Sequence, residues 1–202
     1  MNETILTIMC GLPRVGKSTW IKENKGNAII VSPDDIRKEC FGHQFHAPAN
    51  KFVFGIAENM TTLILQQGHD VIVDATHITL ESRRAWKGIA NSCVAKVKVV
   101  WVYASKNQEK NFRACLERNE LSSYGEKLPM DALLRMANFF EEPDPSIENW
   151  YELIEHQNPH KRKLPLNKRI KIENGDGLLQ LILKGEKLWG VAVNREQVSN
   201  IT

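Results

Sequence analysis

The 202-residue sequence lacks the features that mark membrane-spanning and secreted proteins. No apolar run approaches the roughly 20 residues that a transmembrane helix requires. The start of the chain lacks the basic and then apolar pattern of a signal peptide, and the four cysteines form no CxxC pair. We therefore expect a cytoplasmic protein with reduced thiols and no membrane partner.

A strong charge of either sign is also missing. The formal net charge is +3, and this mild excess does not by itself predict a nucleic-acid partner. The local exception is the segment 160–171, which is rich in lysine and arginine and contains no acid. Two interpretations of this segment stay open: a solvated surface loop, or a contact with a phosphate backbone.

Short apolar runs alternate with segments of helical periodicity along most of the chain. The runs predict strands at residues 5–10, 28–31, 71–74, 97–103 and 150–154. The periodic segments between them predict helices, and residues 177–189 predict one more. Strands that alternate with helices indicate an α/β fold with a parallel sheet flanked by helices. Ligands of such sheets bind at the carboxyl ends of the strands.

The strongest motif follows the first predicted strand. Gly11-Leu-Pro-Arg-Val-Gly-Lys-Ser18 matches the phosphate-binding pattern G-x-x-x-x-G-K-[ST] in full. Its glycines let backbone amides turn inward around phosphate oxygens, and the next helix adds its positive end. We expect Lys17 to reach the β- and γ-phosphates of ATP and Ser18 to hold Mg²⁺. The predicted nucleotide-binding residues of this loop are Gly11, Leu12, Pro13, Arg14, Val15, Gly16, Lys17, Ser18 and Thr19.

Two acids lie where other predicted strands end. Asp34 begins the helix after the second strand, where it either complements the helix dipole, worth about 0.3–1 kcal/mol, or acts as a general base. Arg37 lies three residues later, so it is expected on the same face of the helix as Asp34. A guanidinium there would suit an acceptor that carries its own phosphate. Asp74 ends the third strand, where it either caps a turn or joins Ser18 in supporting Mg²⁺.

Arginines on a later helix precede a segment that could form a lid. Arg113 and Arg118 lie before residues 120–127, and a mobile segment there would close over ATP and stabilise the transferred phosphoryl group. The alternative is an exposed charged helix face. Arg83 and Arg84, earlier in the chain, are expected at the surface or in ion pairs.

Together these motifs resemble the kinase domain of phage-type polynucleotide 5′-hydroxyl kinases, and the wider set of P-loop kinases, over roughly residues 4 to 155. The residues that carry the resemblance are 5–20, Asp34-Asp35-Ile36-Arg37, 71–77 with 83–86, and 116–119 with 128–136. The resemblance implies a P-loop NTPase fold of the nucleoside-kinase type with a helical lid. We therefore predict a kinase domain at 1–157, with the lid near 105–130. A basic C-terminal extension at 158–202 would follow it, and this part has no counterpart in the resemblance.

The resemblance further implies transfer of the γ-phosphate of ATP to a hydroxyl, in the leading interpretation the 5′-hydroxyl of a polynucleotide or nucleotide. Lys17, Asp34, Arg37 and Arg118 would be catalytic, Arg113 would bind ATP, and Ser18 and Asp74 would hold Mg²⁺. Two departures stand out: no second lid arginine follows Arg118, and Asp74 matches the strand-three acid of the family only loosely.

Two other functions stay open on the sequence. A kinase of the same fold could act on a small metabolite or nucleoside. A member of another class, an ATP-binding switch or adaptor, would bind nucleotide with little turnover. The sequence names neither the acceptor nor the oligomeric state.

Overall fold

The computed structural model describes most of the chain. The parts described in full are residues 3–42, 48–122 and 127–159, and the backbone alone is described for residue 47 and for residues 170–175, 178–183 and 186–188. Most of the basic cluster at 160–171 therefore lies outside the described residues. Among the described helices, none has the length and apolar character needed to cross a membrane.

A parallel five-stranded sheet forms the centre of the fold. Its strands are β1 (Ile5–Cys10), β2 (Ile29–Val31), β3 (Val71–Val73), β4 (Lys96–Tyr103) and β5 (Glu152–Gln157). They lie in the order β2-β3-β1-β4-β5, and every neighbouring pair is parallel. The predicted α/β fold is thereby confirmed. The order reverses at β1, so the segment after β1 lies where a ligand crevice is expected.

Six α-helices accompany this sheet in the part of the chain that the structure describes. They are α1 (Lys17–Asn24), α2 (Pro33–Phe41), α3 (Asn50–Gln66), α4 (Leu80–Ser92), α5 (Gln108–Glu120) and α6 (Met130–Asn138). Apolar residues of α1, α5 and α6 pack into one core, and those of α3 and α4 pack into another. Successive residues of β1 alternate between these cores, since Ile8 belongs to the second and Met9 to the first. A strand buried on both faces explains why the β1 sequence is almost continuously apolar.

Helix α2 begins as its sequence predicts. The Ser32 hydroxyl accepts a hydrogen bond from the Asp35 amide at 3.1 Å, and Pro33 occupies the first turn, where its missing N–H is not needed. Gly42 ends the helix in a left-handed conformation with φ of 76°. This start places Asp34 in the first turn, at the carboxyl edge of the sheet.

The prediction of a helix at residues 177–189 is wrong. The chain instead forms β6 (Ile170–Gly175), β7 (Leu178–Leu183) and β8 (Glu186–Leu188), an antiparallel sheet in that order. Strand β7 is six residues long, five of them apolar, and Gly177 and Gly185 flank it in the sequence. Runs of that length between glycines are typical of strands and are too short for a stable helix.

Candidate active site

The loop between β1 and α1 has the backbone of a phosphate cradle. Gly11 has φ of 139°, a conformation that side chains rarely adopt, and a β-carbon there would collide with the Val102 carbonyl of β4. Leu12 and Val15 are buried in the core shared with α1. Because these two side chains point into the protein, only the backbone of Leu12 and Val15 can face a nucleotide.

Lys17 begins α1 and lies across this loop. Its Nζ donates hydrogen bonds to the carbonyl oxygens of Gly11 at 3.1 Å and Leu12 at 2.9 Å. Burial lowers the pKa of Lys17, and the nearby Asp74 carboxylate opposes that shift. A buried ammonium that donates to neutral carbonyls is well suited to gain a phosphate oxygen as a partner.

Ser18 and Asp74 meet beside Lys17. The Ser18 hydroxyl donates a hydrogen bond to Asp74 Oδ2 at 3.3 Å, although the two residues are 56 positions apart. Burial raises the pKa of Asp74, while Lys17 and the hydrogen bond from Ser18 lower it. A hydroxyl and a carboxylate are hard oxygen donors of the kind that Mg²⁺ prefers, and Mg²⁺ needs only one or two protein ligands when phosphates supply the others. The residues present therefore fit the metal.

Asp34 and Arg37 form an ion pair on the first turns of α2. Arg37 Nη1 lies 2.5 Å from Asp34 Oδ1, and its Nη2 donates to Asn50 Oδ1 at 3.0 Å. The Arg37 side chain is only 7% exposed, whereas that of Asp34 is 67% exposed. Asp34 also acts electrostatically on both Lys17 and Asp74, so it belongs to the same edge of the sheet as the loop.

The two arginines predicted for the lid lie in different surroundings. Arg113 is partly exposed on α5 and lies 3.7 Å from Glu109 on the preceding turn. Arg118 instead contacts the phosphate-binding loop, because its Nη1 donates to the carbonyl oxygens of Arg14 at 3.0 Å and Val15 at 2.7 Å. The structure thus brings Arg118 to the loop, and the ATP contacts expected of both arginines stay predictions.

Asn158 also contacts the loop, and sequence reasoning missed it. Its Nδ2 donates to the Val15 carbonyl at 2.8 Å, and its own carbonyl accepts from Arg118 Nη2 at 2.9 Å. The predicted fifth strand ended at residue 154, whereas β5 runs to Gln157. Only a strand that reached 157 would have placed Asn158 at the carboxyl edge with the other site residues.

Comparisons with known proteins bear on the family and the fold of the chain. A family model described as an AAA domain matches residues 6–143, which is more than half of the chain. No curated protein matches. Among solved structures, a candidate kinase from Chloroflexus aurantiacus aligns with a TM-score of 0.61 and 15% identity, covering 83% of this chain and 92% of that one.

Two further solved structures share the fold. A chain of the Pnkp1/Rnl/Hen1 RNA repair complex aligns with a TM-score of 0.59 and 20% identity over 86% of this chain, which spans only 53% of that chain's length. Kti12 of Chaetomium thermophilum, solved with ADP-AlF3, aligns with a TM-score of 0.56 and 19% identity, covering 75% of this chain and 88% of that one. These likenesses establish the kinase-like P-loop fold.

Proposed function

The chain belongs to the AAA domain family, and from that premise we propose that it is an ATP-dependent kinase that phosphorylates a hydroxyl group. The acceptor that we favour is the 5′-hydroxyl of a polynucleotide or nucleotide. One observation carries the proposal: Asp34 lies at the carboxyl edge of the sheet with Lys17 and Asp74, and a buried arginine holds its carboxylate. A protein that only binds ATP has no need of such a carboxylate beside its phosphate site.

In the proposed reaction, the amides of the Gly11–Ser18 loop and the Lys17 ammonium bind the phosphates of ATP. Mg²⁺, held by Ser18 and Asp74, would supply positive charge to the phosphate oxygens. Asp34 accepts the proton of the acceptor hydroxyl as its oxygen attacks the γ-phosphorus, and ADP leaves with the bridging oxygen. The chain contributes placement and charge more than covalent chemistry.

Arg37 has two functions in this proposal. Its guanidinium orients the Asp34 carboxylate, as the 2.5 Å ion pair indicates, and it would also contact a phosphate on the acceptor. The hydrogen bond to Asn50 fixes the guanidinium between the first turns of α2 and the start of α3. The likeness to a chain of an RNA repair complex supports a nucleic-acid acceptor at the level of fold.

Label transfer from γ-labelled ATP tests the activity and the acceptor together. The panel contains 5′-hydroxyl RNA and DNA oligomers, nucleosides, nucleosides with a 3′-phosphate, and common sugars. Label on the oligomers supports the favoured acceptor, and a preference for the 3′-phosphate supports the proposed contact with Arg37. Label on sugars or nucleosides alone would replace the favoured acceptor by the small-molecule alternative. ATP binding with no labelled product would favour the switch or adaptor.

The variant pair Asp34→Asn and Asp35→Asn tests the base. Asp34→Asn should lower turnover by about 10²- to 10⁴-fold, because the amide cannot accept the proton. Asp35 is the matched control for charge: it shares the turn and its carboxylate also acts electrostatically on Asp74, but its side chain lines a groove of about 330 Å³ with Ile30 and Ile36. Its substitution should leave turnover nearly unchanged. Equal losses in the two variants would remove Asp34 from the mechanism.

A further inference from the structure

The carbonyl oxygen of Val15 accepts hydrogen bonds from two side chains. Arg118 Nη1 lies 2.7 Å from it, and Asn158 Nδ2 lies 2.8 Å from it. These donors come from the end of α5 and from the residue after β5, which are 103 and 143 positions away in sequence. We call Arg118, Asn158 and the Val15 carbonyl the loop clasp.

The clasp has a geometric consequence for the phosphate-binding loop. No peptide bond among the described residues is cis, so in the Val15–Gly16 peptide the carbonyl and the next N–H point in opposite directions. Fixing the Val15 oxygen towards Arg118 and Asn158 therefore turns the Gly16 N–H the other way. Backbone N–H groups of this motif are the groups that cradle phosphates. A second hydrogen bond of Arg118 Nη1, to the Arg14 carbonyl, orients the Val15 N–H in the same way.

The Asn158 side chain is itself held in place by the sheet. Its backbone N–H donates to the Tyr103 carbonyl at 2.7 Å, which continues the pairing of β4 with β5 by one residue. Its backbone carbonyl accepts from Arg118 Nη2. Gly16, with φ of 113°, lies directly against the amide, since a β-carbon there would collide with Asn158 Nδ2. The glycine is thus needed both for its conformation and for the approach of Asn158.

We propose that Asn158 is a positioning residue for nucleotide binding, which presents the Gly16 amide to a phosphate by holding the Val15 carbonyl. The inference rests on the proposed function, because it presupposes that the loop binds the phosphates of ATP. Asn158 acts through the Val15–Gly16 peptide and touches no reacting atom. Its contribution depends on its N–H donor, since an isosteric side chain without that donor cannot hold a carbonyl.

The first experiment observes the peptide itself. Val15-Gly16 is the only Val-Gly pair in the sequence, so a chain with ¹³C-carbonyl valine and ¹⁵N-glycine gives a single Gly16 amide signal. In the full chain without nucleotide, Asn158→Ala and Asn158→Asp should both shift this signal. Asn59→Ala is the control, because it removes a similar bond, Asn59 Nδ2 to Gly55 O at 2.8 Å, from the exposed face of α3. An unmoved signal in the Asn158 variants would overturn the proposal.

The second experiment measures binding of ADP and of adenosine, which has no phosphate. Both Asn158 variants should bind ADP about 2- to 10-fold more weakly, which is the effect expected from the loss of one hydrogen bond. Their affinity for adenosine should be unchanged. Asn59→Ala should match the wild type for both ligands. Equal losses of affinity for ADP and adenosine, or full affinity of Asn158→Asp for ADP, would mean that Asn158 contributes only packing. Either result would overturn the inference. Failure of the wild-type chain to bind ADP would instead remove the proposed function and this inference with it.

Discussion

Two arginine–carboxylate pairs in this protein have the same chemistry and opposite surroundings. Arg83 and Glu148 are 0% and 3% exposed, whereas Arg37 and Asp34 are 7% and 67% exposed. In both pairs the arginine is buried, so the difference lies in whether water reaches the carboxylate. The sealed carboxylate of Glu148 meets protein groups, while the open carboxylate of Asp34 can also meet a substrate.

The closed pair joins two distant parts of the chain. Arg83 Nε and Nη2 donate to the two oxygens of Glu148 at 3.0 and 2.6 Å. Arg83 Nη1 donates to the carbonyls of His77 at 3.2 Å and Glu141 at 3.0 Å. The bonds to Glu141 and Glu148 attach α4 to the segment that leads into β5. The pair thus supports the sheet on which Asn158 and the loop depend.

The largest stability effect is expected when the closed pair is broken. Glu148→Gln leaves the Arg83 guanidinium buried without a countercharge, which should lower the free energy of unfolding by about 3–5 kcal/mol. Urea denaturation measures this loss. Turnover per folded molecule should be unchanged, since neither residue reaches the site.

An exposed pair provides the control for that measurement. Asp131 and Arg135 lie 2.7 Å apart, one turn apart on α6, and Asp131 is largely exposed. Asp131→Asn should cost less than about 0.5 kcal/mol, as is usual for a helix surface pair. If Glu148→Gln costs no more than this control, solvent exposure is not what separates the two arginine pairs.

A smaller effect is expected from the histidine beside the closed pair. Burial, together with the nearby charges of Lys17 and Arg83, lowers the pKa of His77 to about 4, although the hydrogen bond with the Met9 carbonyl opposes this shift. The unfolded chain takes up this proton near pH 6.5 and the folded chain only near 4, so stability falls as the pH drops through that window. The shift corresponds to about 3 kcal/mol.

Denaturation curves between pH 7 and pH 4 measure the contribution of His77. His77→Asn should flatten the dependence, because asparagine does not titrate and tolerates the positive φ of 39° at this position. An unchanged slope in His77→Asn would assign the pH dependence to other groups.

The sequence predicts the features of the open pair better than those of the closed one. Asp34 and Arg37 are three residues apart, and Asp74 and the loop follow apolar runs, so local pattern and strand ends locate them. Arg83 could be assigned only to the surface or to an ion pair, because its partner lies 65 residues away. Asn158 is 143 residues from Val15, and no periodicity links them. Such contacts arise from topology, which a local pattern does not contain.

The smallest effect is expected when the open pair is broken. Asp34→Asn should lower the free energy of unfolding by less than about 1 kcal/mol, because water screens the exposed carboxylate and the substituted amide still offers an oxygen to Arg37. Urea denaturation in low and high salt measures this loss, which should shrink as salt increases. The same variant is expected to lose much of its turnover. A small loss in the free energy of unfolding would therefore mean that Asp34 contributes to catalysis more than to stability. A loss as large as that of Glu148→Gln would mean that the open pair also holds the fold, and the contrast between the two pairs would fail.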